Sequence, residues 1–270
     1  MAKSINNEVY VVSLKDSVDR RKSIITQCEK LGIKPIFIDA IYGKDLSESE
    51  ISQYCNQNKA KQLFGRELLL GEIGCALSHK KIYQKIVDEN IPYAVILEDD
   101  AVVKEGFNEV VSLVYKNNLS WHIILLGHYR GFEHNQETNS IDSIWSRHSL
   151  NKTYRLGKIV KGGLGTHGYI ISQEGAKQIL DFLEYDELYL PIDKITSNNN
   201  IIKVYGLSPV VIIVANQFNS LIENTNSRGN DRDGELVYEI AKLLKKTPFF
   251  NIARTLWFTA LKIKPIKKYK

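Results

Sequence analysis

The chain has 270 residues, 43% hydrophobic and 25% charged, a composition typical of a soluble globular protein with one extended domain, or one and a half. No uncharged apolar run approaches the ~18 residues of a transmembrane helix, which argues against a membrane-spanning protein. The net charge of +5 does not predict a nucleic-acid partner, because eight basic and no acidic residues lie within 245–270, which leaves the other 244 residues at −3.

The first part of the chain predicts a Rossmann-like βαβ unit of a parallel sheet. A strand is predicted over 9–14, then a helix over 18–31 that Asp16 or Ser17 can cap, then a second strand over 35–39. The turn after the first strand lacks a GxGxxG fingerprint, which argues against a dinucleotide ligand.

A long helix is predicted next, after a polar segment that is hard to place. In that segment Ser47 and Glu50 can form a capping box for a short helix. The long helix covers 70–90, where apolar residues recur at helical spacing. Glu72 and His79 are seven residues apart, so they should lie together on its flank. An ordinary surface histidine explains His79 equally well.

The segment 94–101, AVILEDDA, predicts a buried strand that ends in three carboxylates at the edge of its sheet. In α/β sheets the ligand crevice opens at this end of the strands. In an extended chain Glu98 and Asp100 point to one side and Asp99 to the other. Because hard oxygen ligands suit Mg²⁺ or Mn²⁺, we predict that Glu98 and Asp100 hold a cation for a nucleotide diphosphate. A solvated turn is the alternative explanation.

The second half predicts further strands and helices. Strands are predicted at 122–126, 169–172, 201–205 and 210–214, and helices at 107–117, at 173–182 and from Pro191 onward. A polar stretch of about 25 residues from Gly127 is too long for an ordinary connection, which predicts a mobile or substrate-covering loop. Four glycines between 162 and 168 surround Thr166 and His167 and allow close approach of a ligand, although a strand-entry turn explains them almost as well.

The C-terminal region predicts a separate tail. Residues 226–235 are typical of a flexible polar link, which divides the chain into a domain over 1–225 and a basic amphipathic tail over 226–270. Aromatic and aliphatic residues interleave with the basic ones there, as in helices that lie on an anionic membrane surface. Packing of the tail on the core of the domain is the alternative.

The cysteines and the tail together predict the location of the protein. Three cysteines show none of the paired spacings of a zinc site and are expected to be reduced thiols: Cys28, Cys55 and Cys75. We therefore expect a cytoplasmic protein that is peripheral on the inner face of the cytoplasmic membrane.

Five blocks of the sequence carry a resemblance to a known family. They are VYVVSLKDSVDRR (9–21), FIDA (37–40), GEIGCALSH (71–79), ILEDD (96–100) and GYIIS (168–172) followed by Gly175 and Ala176. In this order they resemble glycosyltransferase family 25, which contains bacterial lipooligosaccharide galactosyltransferases and domains of collagen-modifying enzymes. The resemblance covers roughly residues 8–220. It implies a GT-A-like α/β fold with a mostly parallel sheet flanked by helices, a UDP-sugar donor, and Mn²⁺ or Mg²⁺.

Glycosyl transfer requires stabilisation of the departing diphosphate, to which a bridging cation contributes several kcal/mol. Arg20, Ser78 and His79 are predicted to donate further hydrogen bonds, although a surface arginine explains Arg20 equally well. Asp39 ends the second strand, where it can accept hydrogen bonds from ribose or base, or cap the next turn. The remaining substrate-binding candidates are Ser13, Glu72, Asp99 and His167.

A general base is needed if the reaction inverts the anomeric centre, as the resemblance to β-transferring family members suggests. Asp193 stands among apolar residues, whereas the acids of 181–187 are typical of a solvated helix end. Because an acid in apolar surroundings has a raised pKa, Asp193 is the predicted base. A helix cap is the alternative role for Asp193.

The predicted function is metal-dependent transfer of a hexose from a UDP-sugar to a lipooligosaccharide or LPS acceptor. Galactose is the predicted hexose. Two other classes of function stay open. One is a catalytically silent, membrane-peripheral protein that binds sugar nucleotides, and the other is a metal-dependent phosphohydrolase, which also uses acids at strand ends.

Overall fold

The structure is a computed structural model that describes residues 8–129, 141, 147–159 and 163–215. The predicted boundary at residue 225, the polar link and the basic tail lie outside the described residues. Most of the predicted loop after Gly127 does so as well.

The predicted βαβ unit is present. Strand β1 (Glu8–Ser13) leads into helix α1 (Val18–Lys30), and strand β2 (Ile36–Asp39) pairs with β1 in parallel. Ser17 occupies the N-cap position of α1, but its side chain makes no capping hydrogen bond, so the predicted cap is wrong in this respect.

The polar segment after β2 folds into short helices ahead of a long one. These are a 3₁₀ turn (Gly43–Asp45), α2 (Glu48–Tyr54), α3 (Gln57–Lys59) with a π-helical turn (Ala60–Phe64), and α4 (Leu70–Asp88). The predicted capping box of Ser47 and Glu50 is confirmed, since each side chain accepts a hydrogen bond from the backbone N–H of the other.

The second half supplies most of the strands. In chain order its elements are β3 (Tyr93–Glu98), β4 (Ala101–Val103), α5 (Phe107–Lys116), β5 (Ile123–Leu125), β6 (His148–Ser149), β7 (Arg155–Lys158), β8 (Gly168–Ser172), α6 (Gln173–Tyr185), α7 (Ile192–Thr196), β9 (Val204–Ser208) and β10 (Ile212–Val214). Strand β6 falls within the stretch predicted to be a loop, whereas its hairpin partner β7 follows that stretch. Strand β9 starts later than the strand predicted over 201–205.

One large sheet organises these elements and confirms the predicted α/β fold class with a mostly parallel sheet flanked by helices. Its strand order is β2-β1-β3-β8-β5-β9-β7-β6, and six of these eight strands run in one direction, with β8 and β7 opposed. Strands β4 and β10 form a separate antiparallel pair. Among the described helices, none combines the length and apolar character that crossing a membrane requires.

Helices cover both faces of the sheet. On β1, Tyr10 and Val12 enter the core shared with α4, α6 and α7, whereas Val9 and Val11 enter the core shared with α1 and α5. This alternation is the period of two that strands impose on their side chains. It continues along β3, so consecutive residues at the end of β3 are directed to opposite faces.

Candidate functional site

Polar residues from four strands meet at one edge of the sheet. Ser13, Asp39 and Glu98 end the parallel strands β1, β2 and β3, and Ser13 is in register with Asp39. Strand β8 runs the other way beside β3, so Thr166 and His167, which precede it, reach the same edge. This edge is where α/β sheets bind their ligands.

Glu98 lies on the α4 face among three polar side chains. Its Oε1 atom is 3.5 Å from His79 Nε2 and 4.0 Å from Cys75 Sγ, and it accepts a hydrogen bond from Thr166 Oγ1. Burial acts to raise the pKa of Glu98, but His79, Thr166 and His167 outweigh it and hold that pKa below the ordinary value. Glu98 is therefore ionised at neutral pH.

His79 is fully buried, so its interpretation as a surface histidine is wrong. Its Nδ1 atom is 2.7 Å from the hydroxyl of Tyr169, which in turn lies 2.7 Å from the hydroxyl of Tyr83. Among the described residues, Nε2 has no hydrogen-bond partner and faces Glu98. The buried tyrosines thereby fix the direction in which the imidazole points.

Asp99 lies on the α1 face, as the alternation along the strand predicts. It accepts hydrogen bonds from Ser13 Oγ at 2.7 Å and from a guanidinium nitrogen of Arg20 at 2.8 Å. The same nitrogen is 3.4 Å from Asp100 Oδ2. Arg20 is only 8% exposed, so it is a buried ion-pair partner and not a surface arginine.

Asp100 has the features of a cation ligand. Its Oδ1 atom is buried and has no hydrogen-bond partner among the described residues. Burial and the negative charge of Glu98 raise the pKa of Asp100 to about 7, against the opposing effect of Arg20. A divalent cation between Glu98 and Asp100 would relieve this repulsion and supply the missing partner, so the two carboxylates fit Mn²⁺ or Mg²⁺.

Asp39 remains open to a ligand. Its side chain is 62% exposed, and a hydrogen bond from Arg21 lowers its pKa. Arg21 also donates to the backbone oxygen of Ser13 at 3.0 Å and so braces the ends of both strands. The sequence interpretation missed Arg21, although it follows Arg20 directly within the first of the five family-like blocks.

Glu72 and Ser78 hold α4 in place. The two terminal guanidinium nitrogens of Arg66 donate to the Glu72 carboxylate, at 2.8 and 2.7 Å. Ser78 Oγ donates to the carbonyl of Gly74 at 2.6 Å and accepts from the N–H of Ile41 at 2.8 Å. The structure therefore gives Glu72 and His79 different partners, and the Ser78 hydroxyl is already engaged.

Asp193 is the second residue of α7, and Pro191 occupies the N-cap position, so the cap interpretation of Asp193 is wrong. Its Oδ1 atom is buried without a hydrogen-bond partner among the described residues. Burial, with smaller effects of Glu72 and Glu98, raises the pKa of Asp193 to about 6 against the opposing effect of Lys194. A carboxyl with this pKa is suited to accept a proton near neutral pH.

The glycines near 165 make room for an imidazole ring. The His167 ring stacks on Tyr129 with a centroid separation of 5.8 Å. A Cβ atom at Gly165, whose φ is +108°, would lie 2.4 Å from His167 Nδ1, and one at Gly127 would lie 2.3 Å from Nε2. These two glycines are thus required by packing of the ring, while Gly162 lies outside the described residues.

Asp99→Ala should lower the free energy of unfolding by about 3 kcal/mol, because it leaves the buried Arg20 without its shorter ion pair. Urea unfolding measures this loss. The matched control is Glu89→Ala, which removes the half-exposed partner of Lys85 on α4 and should cost less than about 0.5 kcal/mol. Similarly small losses of unfolding free energy in both variants would show that the ion pair of Arg20 and Asp99 does not stabilise the fold.

Comparison with known proteins identifies a family whose model matches most of the chain. The model of glycosyltransferase family 25 (LPS biosynthesis protein) matches residues 6–196. Procollagen galactosyltransferase 1-A of Xenopus laevis is 27% identical over 195 residues, 70% of this chain and 30% of that protein. The probable inactive glycosyltransferase 25 family member 3 of Bos taurus is 26% identical over 197 residues, 70% of this chain and 31% of that protein. The chain thus spans about a third of the length of the curated relatives it matches.

Among solved structures, a glycosyltransferase involved in the glycosylation of the major capsid of PBCV-1 aligns with a TM-score of 0.29 and 9% identity, over 66% of this chain and 67% of that chain.

Proposed function

The chain belongs to glycosyltransferase family 25, and we propose that it is a metal-dependent enzyme that moves a hexose from a UDP-sugar to a lipooligosaccharide or LPS acceptor. Galactose is the proposed sugar because the Xenopus laevis relative is named a galactosyltransferase, and the acceptor follows the family description. The observation that carries the proposal is the pair Glu98 and Asp100 at the carboxyl edge of the sheet, with a buried carboxylate oxygen that lacks a partner among the described residues.

Glu98 and Asp100 are the proposed ligands of Mn²⁺ or Mg²⁺, which when bound would neutralise charge on the departing diphosphate. The neighbouring residues hold these two acids in position. His79 and Thr166 orient Glu98, and Arg20 fixes Asp100 through the 3.4 Å contact to Oδ2. Because these supports are buried, they do not have to reorganise during the reaction.

The nucleoside is proposed to lie over the ends of β1 and β2. Asp39 is exposed there and ionised, so it can accept hydrogen bonds from ribose hydroxyls or from a base N–H. Arg21 donates hydrogen bonds to the Asp39 carboxylate and to the backbone oxygen of Ser13, and so holds the carboxylate in place. His167, buried beside Glu98, closes the other side of this edge.

Asp193 is the proposed general base of an inverting transfer. Its carboxylate takes the proton of the acceptor hydroxyl as that oxygen attacks the anomeric carbon, while the bond from this carbon to the diphosphate oxygen breaks. The charge of Asp193 acts on the pKa of both Cys75 and Arg66, so it belongs to the same electrostatic environment as Glu98.

The direct test is release of UDP from a panel of UDP-hexoses in the presence of Mn²⁺. We expect UDP-galactose to give the fastest release, and a lipooligosaccharide acceptor to accelerate it. Chelation by EDTA should stop the reaction, and readdition of Mn²⁺ should restore it. Equal rates with and without EDTA would remove the metal from the proposal.

A catalytically silent sugar-nucleotide-binding protein is the second candidate. The observation in its favour is the relative from Bos taurus, which is named probably inactive and is nearly as similar as the galactosyltransferase. Calorimetric binding of UDP-galactose without any UDP release, across the panel of sugars and with acceptor present, would identify this second function.

The basic tail is proposed to hold the protein on the inner face of the cytoplasmic membrane. Truncation after Lys246 removes six basic residues together with the interleaved aromatic ones. If half of the six cations engage an anionic surface at about 1 kcal/mol each, vesicle affinity should fall roughly a hundredfold. Co-sedimentation with anionic vesicles at low and high salt measures this, with neutral vesicles as the control. Unchanged binding by the truncated chain would refute the membrane role.

A further inference from the structure

We propose that Cys75, His79 and Glu98 form a binding site for a thiophilic divalent cation such as Zn²⁺, and that this site shares Glu98 with the proposed site of the donor's cation. One thiol, one imidazole nitrogen and one carboxylate oxygen lie within 4.8 Å of one another. These three donor types are the ones that zinc sites use.

The secondary structure brings the three side chains together. Cys75 and His79 are four residues apart on α4, so they lie one above the other on the same helix face. Glu98 ends β3 and is directed to that face, 3.5 Å from His79 Nε2 and 4.0 Å from Cys75 Sγ. Tetrahedral zinc at normal bond lengths separates such atoms by about 3.3–3.6 Å, so small side-chain rotations suffice.

The histidine is already held as a ligand. His79 is fully buried, and the hydroxyl of Tyr169 engages Nδ1, which leaves Nε2 without a hydrogen-bond partner in the part of the chain described. An outer hydrogen bond of this kind fixes the ring of most metal-binding histidines. A cation can reach the site because the Glu98 side chain is 25% exposed.

The donor set selects a different cation from the oxygen site. A thiolate favours zinc over Mn²⁺ or Mg²⁺, which prefer oxygen. On coordination the Cys75 thiol releases its proton to solvent, and the thiolate sulfur supplies the bonding pair. Glu98 is shared by both sites, so bound zinc takes it from the donor's cation and inhibits transfer. This last consequence rests on the proposed function.

Cobalt absorption tests the site without any assay of activity, because Co²⁺ bound by a thiolate gives an intense charge-transfer band. We expect this band in the native protein, its loss on addition of Zn²⁺, and its absence in Cys75→Ser. The matched control Cys55→Ser removes another buried thiol and should keep the band. No band in the native protein, or an unchanged band in Cys75→Ser, would overturn the proposal.

A second variant tests the site independently, in case Cys75→Ser does not fold. His79→Gln keeps the thiol but removes a ligand. Loss of a residue that only hydrogen-bonds to a ligand lowers metal affinity at least about tenfold, so cobalt affinity should fall at least this much. Circular dichroism shows whether each variant is folded. Unaltered affinity in a folded His79→Gln would remove the histidine from the site and overturn the proposal.

The inhibitory consequence is tested by titrating Zn²⁺ into the protein at saturating Mn²⁺ and UDP-galactose. Each variant is compared with its own zinc-free rate, and Cys75→Ser should need at least about tenfold more zinc for half inhibition. Equal sensitivity would overturn the inhibitory role. A native protein that releases no UDP contradicts the proposed function instead, and the cobalt result then decides the cation site alone.

Discussion

Asp100→Ala should reduce kcat/KM for transfer about a thousandfold or more. The variant removes a charged ligand of the cation that neutralises the departing diphosphate, and a cation of this kind contributes several kcal/mol, of which each 1.36 kcal/mol is a factor of about ten. UDP release from UDP-galactose with Mn²⁺ measures the effect. Asp100 is the sharpest position for this test because its Oδ1 atom has no hydrogen-bond partner among the described residues.

Two comparisons make the Asp100 result specific. Glu98→Ala should also be severe, but it removes the acceptor of Thr166 and the partner of His79, so part of its effect is structural. Asp181→Ala changes an exposed acid of α6 and should leave the rate within about twofold of the native protein. Activity of a folded Asp100→Ala within tenfold of the native protein, or full native activity in EDTA, would refute the metal assignment.

Asp193→Asn should lower kcat about a hundredfold or more while the affinity for UDP stays nearly the same. The amide keeps the shape of the carboxyl but cannot accept the proton of the acceptor hydroxyl, so only the transition state loses stabilisation. Steady-state rates with a saturating acceptor and calorimetric titration with UDP separate the two quantities. Asp181→Asn on α6 is the matched control. Near-normal kcat would eliminate Asp193 as the base.

The pH dependence gives the Asp193 prediction a second readout. The pKa of Asp193 is raised to about 6, with Lys194 opposing the effects of burial, Glu72 and Glu98, so kcat should rise as pH increases through about 6 and then level off. Arg66, which pairs with Glu72, and the Cys75 thiol are the other titratable groups that interact with it. In Asp193→Asn this rise should disappear.

Stability distinguishes the base from a structural role. The pKa of Asp193 is raised in the folded protein above the ordinary value of 3.8, which applies to the unfolded chain, so the folded protein holds this proton more tightly. This group therefore contributes stability that is present below about pH 4 and is lost as pH rises through about 6. At pH 7 Asp193→Asn should be no less stable than the native protein, because a neutral amide costs less to bury than a carboxylate. A marked loss of stability in urea unfolding would instead indicate a structural role for the carboxylate.

Features that depend on neighbouring positions along the chain follow from the amino-acid sequence alone. The period of two along a strand assigns Glu98 and Asp99 to opposite sides of the sheet, and their partners lie on opposite sides. Parallel strands end at the same edge, which places Ser13, Asp39 and Glu98 together. The short apolar run around Asp193 likewise indicates a partly buried acid, and its Oδ1 atom is buried.

The distant residues that contact these acids are set by the tertiary structure. Strand β8 runs antiparallel between β3 and β5 and brings Thr166 to Glu98, a pairing that no local pattern specifies. The depth at which α1 and α4 pack on the sheet buries Arg20 and His79, which the sequence explains equally well as surface residues. It also brings Cys75 within reach of Glu98. The reason is physical: side-chain periodicity is set within one element, whereas contacts between elements depend on how the whole core closes.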